Sequence, residues 1–346
     1  MKHELIPLTD EERWCRALDG MATPLAHSHA YCKALSLSVE YELFLYRCDG
    51  DGGKAVCPLG VRRLSATAPP ELFSPYGSGG FVTTWPSNKG HSFFAEWTDF
   101  CRREGFATAY IVQNPAIELP TDMVHEFEEQ PQVVYLLDLT PPLKDMFSSL
   151  NKTHRYEIRK VDRDHTVTIA HSTPVLHEAF LELYPQTMQR VGASDCYDFS
   201  RETLKAFLEI PEMVPVGVIV GGKVEAVSLF ILPEGNGRGD CNVMEYFLSA
   251  STSAGRKYSR NIIWNALEMQ KKRGAGLLNL GGGVAPGDGL DRFKQRFNAV
   301  PCNLKALKQV VLSTEYKQLC LSAGVDSNSQ DGYFPPYWKN RKSSTR

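Results

Sequence analysis

A glycine-rich segment late in the chain carries the residue types best suited to chemistry. Residues 277–297 combine an apolar strand, three consecutive glycines, a loop, and then an acidic, aromatic and basic cluster: Gly281, Gly282, Gly283, Asp291, Phe293 and Lys294. Glycines open backbone conformations that other residues avoid and let another molecule approach closely. A strand end, an open backbone and a fixed cation suit the stabilisation of negative charge in a reaction. A plain glycine turn with Lys294 in solvent is the alternative interpretation.

Composition limits the classes of function. The chain has 346 residues, a length suited to two domains. Its net charge of −2 gives no overall field for nucleic acid or an anionic membrane, so any polyanion must meet a local basic patch. No apolar run reaches transmembrane length, and the first residues lack the apolar core of a signal peptide. Nine scattered cysteines without a C-x-x-C pair favour reduced thiols in the cytoplasm and no metal site.

The elements around this segment follow an order that occurs twice. The first copy is a hairpin of strands at 41–47 and 54–62, a helix at 92–104 and a strand at 108–113. The second is a hairpin at 215–220 and 223–232 turning at Gly221-Gly222, a helix at 258–273 and a strand at 276–280. Repetition over so long a period indicates duplication and predicts two similar α+β domains.

The domain boundary is predicted near 140, where Pro141 and Pro142 interrupt regular structure. This gives domains at 1–140 and 141–315, and an extension at 316–346 that ends in a disordered basic tail. A single helix is predicted over 143–162. Four cations at spacings of three and four share one of its faces and suit either phosphate binding or simple solvation: Lys152, Arg155, Arg159 and Arg163.

Four segments together carry a family resemblance. They are Phe-Ser-Pro-Tyr-Gly-Ser-Gly-Gly at 73–80, the basic segment 150–160, Leu-Tyr-Pro-Gln-Thr-Met-Gln-Arg-Val-Gly-Ala at 183–193, and the glycine and Phe-Lys block at 278–297. The chain resembles the Fem-type aminoacyltransferases and the broader FemAB-like acyltransferases of the GNAT superfamily, in particular their compact members. The resemblance implies an α+β fold of two GNAT-like domains in tandem, each a mixed, mainly antiparallel sheet flanked by helices, with a cleft between them. It also implies transfer of an acyl or aminoacyl group onto an amine.

The resemblance assigns roles to individual residues of the glycine-rich block. It implies that Lys294 stabilises charge and that Phe293 packs against the terminal adenosine of the donor. Gly282 and Gly283 would border the substrate. Asp291 is a candidate catalytic base, although an aspartate in a loop more often serves as a turn or cap residue.

The remaining candidates would bind the acceptor. Arg155 and Arg159 match the basic helix of the family, and Tyr76 lies on a Pro-Tyr-Gly turn. Tyr246 is on the strand that borders the cleft in GNAT enzymes, while Thr187 and Arg190 belong to the third segment. A core position for Tyr246 and a buried turn position for Tyr76 are the alternatives.

The donor follows from the phosphate loops. Acyl-CoA binding in GNAT enzymes uses a glycine-rich loop that opens a helix. The equivalent stretches, 250–260 and 83–91, hold one glycine each, Gly255 and Gly90. The absence of such a loop favours a different donor, and the resemblance implies aminoacyl-tRNA as that co-substrate, with no bound cofactor. The alternatives are an acyl-CoA-dependent N-acyltransferase acting on an amino sugar or small amine, and a non-catalytic scaffold that binds an acidic ligand.

Overall fold

The computed structural model describes residues 1–50, 52–77, 79–85, 93–233, 242–271, 274–283, 287–329 and 333–339. Predictions that fall on 86–92, 272–273, 284–286 and 340–346 lie outside them. The described residues form thirteen strands: β1 Lys2–Pro7, β2 Glu42–Gly50, β3 Gly53–Arg63, β4 Pro70–Phe73, β5 Val82–Thr83, β6 Thr108–Gln113, β7 Glu128–Asp138, β8 Val167–His171, β9 Met213–Val220, β10 Lys223–Ile231, β11 Val243–Ser251, β12 Leu277–Gly282 and β13 Val300–Val310.

Eleven α-helices accompany these strands in the same part of the chain. They are α1 Glu11–Leu18, α2 His29–Leu35, α3 Phe93–Arg103, α4 Thr121–Val124, α5 Leu143–Ser149, α6 Lys152–Asp162, α7 Pro174–Val191, α8 Arg201–Leu208, α9 Ser259–Lys271, α10 Gly289–Gln295 and α11 Ser313–Ser322. Of the helices described, none has the length and apolar character that crossing a membrane requires.

The chain divides into two compact units, which are described separately. Unit 1 comprises Met1–Pro131 and Asn303–Arg346, and unit 2 comprises Gln132–Cys302. In unit 1 the strand order is β1-β2-β3-β4-β6-β13, with β5 against β3. The β4–β6 pair is parallel and the other pairs are antiparallel. Its core is rich in aromatic side chains, among them Tyr46, Phe81, Phe93 and Trp97.

In unit 2 the strand order is β7-β12-β11-β10-β9-β8. Only the β11–β12 pair of this sheet is parallel among the strands described. Helices α7 and α9 pack on the sheet, and α6 packs on α9. The predicted α+β class, with a mixed and mainly antiparallel sheet in each half, is confirmed.

Both predicted hairpins are present. Strands β2 and β3 pair from Glu42↔Val61 to Gly50↔Gly53, and β9 and β10 turn through Gly221 (φ +56°) and Gly222 (φ +84°). A tight turn with positive φ at both central positions matches the twist of its strands, and glycine adopts it without strain. Strand β6 covers the predicted 108–113, and helices α3 and α9 occupy the described parts of the helices predicted at 92–104 and 258–273.

The single helix predicted over 143–162 is wrong. Leu150 leaves the helical region (ψ +148°), and α5 ends there. Asn151 then caps α6, because its side chain accepts a hydrogen bond from the Thr153 amide at 2.8 Å. A capping asparagine satisfies an amide that would otherwise lack a partner, which outweighs the continuous apolar spacing across the break.

The domain limits also differ from the predicted ones. The structure changes units after Pro131 and returns to unit 1 at Asn303, whereas the predictions were 1–140, 141–315 and 316–346. The return occurs because β13 pairs with β6 from Lys305↔Gln113 to Val310↔Thr108. Helix α11 and the segment 333–339 therefore belong to unit 1, together with residues that are distant from them in sequence.

Candidate active site

The site in unit 2 is centred on the point where two parallel strands, β11 and β12, separate. Strands β11 and β12 pair at Val243↔Leu277, Met244↔Leu278 and Glu245↔Asn279, and their pairing ends there. Strand β11 continues to Ser251 along β10 with a register shift beside Leu229, whereas β12 continues along β7 to Gly282↔Val134. The two strands therefore separate beyond Glu245 and Asn279, and the three glycines lie on the β12 side of the gap.

The three glycines are required by the packing of unit 2 itself. Gly281 has φ +69°, and its amide donates to the Asn279 side chain at 2.8 Å. A Cβ atom at Gly282 would lie 2.7 Å from the Val133 carbonyl oxygen, and one at Gly283 would lie 2.2 Å from Asp291 Oδ1. The close approach predicted from the sequence is thus made by the chain's own atoms. Substrate contact by Gly282 and Gly283 stays a prediction.

Lys294 is buried against the glycines, so the alternative that places it in solvent is wrong. Its side chain is 3% exposed, and Nζ donates to the Gly282 carbonyl oxygen at 2.5 Å. Burial lowers its pKa to about 8, although the nearby carboxylates of Asp291 and Asp288 act in the opposite direction. At neutral pH most molecules therefore hold an ammonium group beside the parted strands, in a site where water screens it poorly.

The acidic residues of this segment position α10. Asp288 caps the helix by accepting from the Leu290 and Asp291 amides, both at 2.7 Å. Asp291 is itself buried and accepts from the Gly287 amide at 2.7 Å. These bonds hold the returning loop and fix the start of the helix that carries Lys294. A role for Asp291 as a base stays a prediction.

Three rings pack together beside Lys294. Phe293, Phe297 and His154 have ring centroids 4.6 to 5.5 Å apart. His154 is fully buried, and its ring nitrogens lack a hydrogen-bond partner among the described residues. Burial first of all, together with the charges of Arg260 and Arg296, lowers the pKa of His154 to about 4, so the ring is neutral. Sequence reasoning missed this histidine, although it stands in the 150–160 segment that carries the resemblance. Phe293 is half-buried by these rings, and its contact with a donor adenosine stays a prediction.

Two predicted acceptor residues meet at the end of β11. Thr187 is buried; it donates to the Ser251 carbonyl at 3.2 Å and accepts from the Ser251 amide at 3.0 Å. Arg190 donates to Ser251 Oγ at 3.3 Å. On the same strand the Tyr246 ring packs 5.4 Å from that of Phe230, and burial raises its pKa. Tyr246 is half-buried and packs against the core of unit 2, and its contact with the acceptor stays a prediction.

Arg155 and Arg159 have partners inside unit 2. Arg155 Nη1 donates to the carbonyls of Ser148 and Leu150, both at 2.6 Å, and Arg159 lies 5.0 Å from the centroid of the Phe147 ring. Both guanidinium groups therefore join α6 to α5. Tyr76 lies in unit 1, where its carbonyl accepts from the Tyr31 hydroxyl at 2.7 Å. Acceptor binding by these three residues stays a prediction.

A polar depression of about 400 Å³ opens beside α10. Its lining residues are Ser149, Asn151, Arg292, Gln295, Arg296 and Asn298. At about 100° per residue, Arg292 and Arg296 lie on the side of the helix opposite Lys294. Sequence reasoning missed both arginines, although their spacing of four within the Asp-Arg-Phe-Lys-Gln-Arg-Phe run would have placed them on one face.

The loop before α9 gives its glycine an internal role. The Gly255 amide donates to Thr252 Oγ1 at 2.9 Å, and a Cβ atom there would lie 1.8 Å from the Glu225 carbonyl oxygen. Close packing against β10 therefore explains this glycine. The stretch at 83–91 lies largely outside the described residues. Within the described ranges no group of histidine, cysteine and carboxylate side chains is arranged to hold a metal ion.

The architecture is that of the Fem-type fold. No family model matches the sequence, and no curated protein matches it. Among solved structures, FemX superposes with a TM-score of 0.67 at 12% identity, over 92% of this chain and 99% of FemX. The C-terminal domain of a putative lysylphosphatidylglycerol synthetase from Agrobacterium fabrum gives a TM-score of 0.59 at 13% identity, over 93% and 98% of the two chains. L-PGS from Bacillus licheniformis gives 0.56 at 15%, over 89% and 94%. The mixed, mainly antiparallel α+β fold implied by the resemblance is confirmed, and the cleft between the two domains stays a prediction.

Proposed function

We propose that this protein is an acyltransferase that moves an aminoacyl group from aminoacyl-tRNA onto an amine of a small molecule, a peptide, or a cell-wall or polysaccharide precursor. One observation carries the proposal. A buried lysine, Lys294, is held by a strand-end carbonyl where β11 and β12 part, on a fold shared with FemX. A cation fixed in a poorly hydrated gap is suited to stabilising an oxyanion.

The reaction needs alignment and charge stabilisation more than a covalent intermediate. The amine attacks the ester carbonyl, the C–N bond forms, the ester C–O bond breaks, and the proton lost by the amine passes to the departing ribose hydroxyl. Alignment of the two reactants contributes roughly 7–11 kcal/mol in ideal cases. One well-placed donor to the oxyanion contributes about 3–4 kcal/mol. Lys294 supplies that donor, and Asp291 is the candidate base that takes the amine proton and passes it to the ribose oxygen.

The donor is argued from the loop before α9. A CoA pyrophosphate would bind free backbone amides at this helix N-terminus. Here the Gly255 amide already donates a hydrogen bond to Thr252 Oγ1, and the glycine packs closely against the Glu225 carbonyl oxygen. This amide is therefore not available to a pyrophosphate. The similarity to FemX and to a putative lysylphosphatidylglycerol synthetase supports an acyl group carried in another form, for which aminoacyl-tRNA fits the resemblance.

A donor-dependence assay tests the proposal. The purified protein is incubated with a pool of cellular amines and either charged tRNA, with and without RNase, or a panel of acyl-CoAs, and products are read by mass spectrometry. We expect an RNase-sensitive mass gain equal to one amino-acid residue, which also identifies the amino acid. A gain that requires acyl-CoA and resists RNase would contradict the tRNA donor and leave an acyl-CoA transferase. No product with any donor would favour a binding scaffold.

A further inference from the structure

The solvent face of α6 presents a stripe of cations around a tyrosine. At about 100° per residue, five side chains fall within roughly 100° of the helix circumference. They are Lys152, Tyr156, Arg159, Lys160 and Arg163, called here the α6 stripe. All five are exposed, and Tyr156 is 64% exposed. A large aromatic side chain left this open between cations is typical of surfaces that bind single-stranded nucleic acid, where bases stack on rings and phosphates meet cations.

The charge of the stripe is not cancelled within α6. The two carboxylates of the helix, Glu157 and Asp162, lie roughly 100° and 120° from Tyr156 around the axis. Among the described residues none of the stripe's cations forms an ion pair, and Arg159 instead lies over the Phe147 ring. The surface therefore complements a polyanion although the whole chain carries a net charge of only −2.

The stripe leads directly to the helix that bears Lys294. The amide of Asn151, the cap residue of α6, donates to the Arg296 carbonyl at 3.2 Å and so joins the two helices. Asn151 also lines the polar depression, where Arg292 and Arg296 add two guanidinium groups. The cations therefore extend along α6 from Arg163 at its C-terminal end to Lys152 at its N-terminal end, and from there onto the outer face of α10.

We propose that the α6 stripe and the adjoining depression bind the single-stranded end of an RNA, with one base stacked on Tyr156 and a phosphate held by Arg292 and Arg296. This inference rests on the proposed function, because it supplies the surface by which an RNA-borne donor reaches the helix of Lys294. Eleven residues of α6 extend over roughly 16 Å, enough for a few nucleotides at about 3.4 Å per stacked step.

An RNA explains the surface better than an anionic membrane does. The depression is shallow and is lined, among the described residues, by polar and charged side chains; its two guanidinium groups suit a phosphate, and it offers no apolar side chain for insertion into a bilayer. The exposed aromatic group is a tyrosine, whose ring face suits stacking on a base.

The test is direct binding of a labelled 12-nucleotide single-stranded RNA, measured by fluorescence anisotropy at several salt concentrations. We expect Tyr156→Ala to weaken binding about tenfold, and Tyr156→Phe, which keeps the ring, to restore it. The double variant Lys152→Ala, Lys160→Ala should reduce the slope of log affinity against log salt by about 1.4, since each phosphate contact on a single strand contributes about 0.7. The matched controls are Tyr333→Ala, an exposed tyrosine of unit 1, and Lys223→Ala on the β9–β10 hairpin, and both should bind like the wild type.

Two results would overturn the inference. One is wild-type RNA affinity in Tyr156→Ala together with an unchanged salt slope in the double lysine variant. The other is stripe-dependent binding to phosphatidylglycerol vesicles with no binding of the RNA. The two proposals fail separately, because wild-type turnover in the donor assay decides the function and the affinity of the Tyr156 variants decides the surface.

Discussion

Lys294 combines two properties that are hard to hold together. Its ammonium group is almost completely removed from water, yet among the described residues it donates a single hydrogen bond, from Nζ to the Gly282 carbonyl oxygen. Removing an ion from water costs free energy, and the lowered pKa of this lysine reflects that cost. Strain of this kind is common where a charge is needed for chemistry. The lysine therefore has consequences that can be measured in both activity and stability.

Activity should fall as the pH rises through the pKa of Lys294. In the proposed mechanism the protonated form of Lys294 stabilises the oxyanion, and the population of that form declines above pH 8 because burial lowers the pKa to about 8. A kcat profile from pH 6.5 to 9.5 checks this. Lys294→Arg, if active, should lose the alkaline fall, because a guanidinium stays charged throughout. A wild-type rate that stays level or rises between pH 8 and 9.5 would count against a cationic role.

Stability should change in the opposite direction. The pKa of Lys294 is below its ordinary value of 10.5, so between pH 8 and 10.5 the unfolded chain binds the proton more tightly than the folded one. Between pH 7 and 9.5 the free energy of unfolding of the wild type should then rise relative to that of Lys294→Met by about 2 kcal/mol. Urea titrations of both proteins at pH 7 and 9.5 measure this difference. A gap between them that does not change with pH would show that Lys294 has an ordinary pKa.

Individual residues were predictable where the cause is local. Lys294 lies close in sequence to three glycines, so the spacing alone was enough to predict it as a site residue. The role of Arg155 could not be predicted. It donates hydrogen bonds to the Ser148 and Leu150 carbonyls, and these oxygens are available as acceptors because α5 ends there. His154 lies within a matching segment, but its burial between two phenylalanines requires α10 to be packed on α6.

The strand-to-helix connection β12–α10 has little tolerance for added atoms. Gly283→Ala would bring a methyl group to 2.2 Å from Asp291 Oδ1 and so displace the residue that holds the start of α10. We expect at least a tenfold loss of transfer activity with a retained circular dichroism spectrum, because a small misplacement of a catalytic group has large effects. Gly289→Ala is the matched control, since nothing lies within 4 Å of its Cβ position. Alanine in this first helical position should be neutral or slightly stabilising. Equal activity of the two variants would contradict the role given to this connection.

Regular elements were predicted well and their interruptions were not. The hairpins at β2–β3 and β9–β10 combine apolar strands with glycine turns, so pattern and turn chemistry agree. In the 143–162 stretch they disagree, because the apolar spacing continues through Leu150 and Asn151 while the asparagine favours a cap. The cap at Asn151 determines where the helix breaks, and an argument from apolar periodicity does not take capping residues into account.

A buried carboxylate connects the last described residues to the first sheet. Glu71 on β4 is 1% exposed and accepts hydrogen bonds from the Tyr337 hydroxyl and from Trp338 Nε1, the latter at 2.6 Å. Arg62 lies over the Trp338 ring, 4.1 Å from its centroid, and 3.5 Å from Glu71. Burial raises the pKa of Glu71, which these partners counteract.

Removing the C-terminal segment should therefore destabilise unit 1. Deletion of residues 333–346 leaves Glu71 without two donors, and a buried acceptor that loses its partners costs about 1–3 kcal/mol or more if charged. Thermal melts of the full-length and truncated proteins measure the loss. Glu71→Gln in the truncated chain should recover part of it and should lower the melting temperature of the full-length chain. Full-length stability in the truncated protein would show that the contact contributes nothing.

The division of the chain into units could not be derived from local patterns. The proline pair at 141–142 does end a stretch of regular structure, yet the unit changes nearer Pro131. The return of β13 to β6 depends on pairing between segments that are far apart in sequence. Neighbouring residues contain no signal for such a partner, whereas the duplicated order of hairpin, helix and strand correctly indicated two α+β units.

Amide formation by Lys294→Ala tests the proposed chemistry most directly. A single-turnover assay with the donor identified by mass spectrometry would compare the wild type with this variant, and thermal melts of both would establish that the variant is folded. We expect the rate to fall by about 10²–10³, the loss typical of one oxyanion donor, with a cooperative melt retained. A folded variant that transfers the group at a rate close to that of the wild type would remove Lys294 from the reaction.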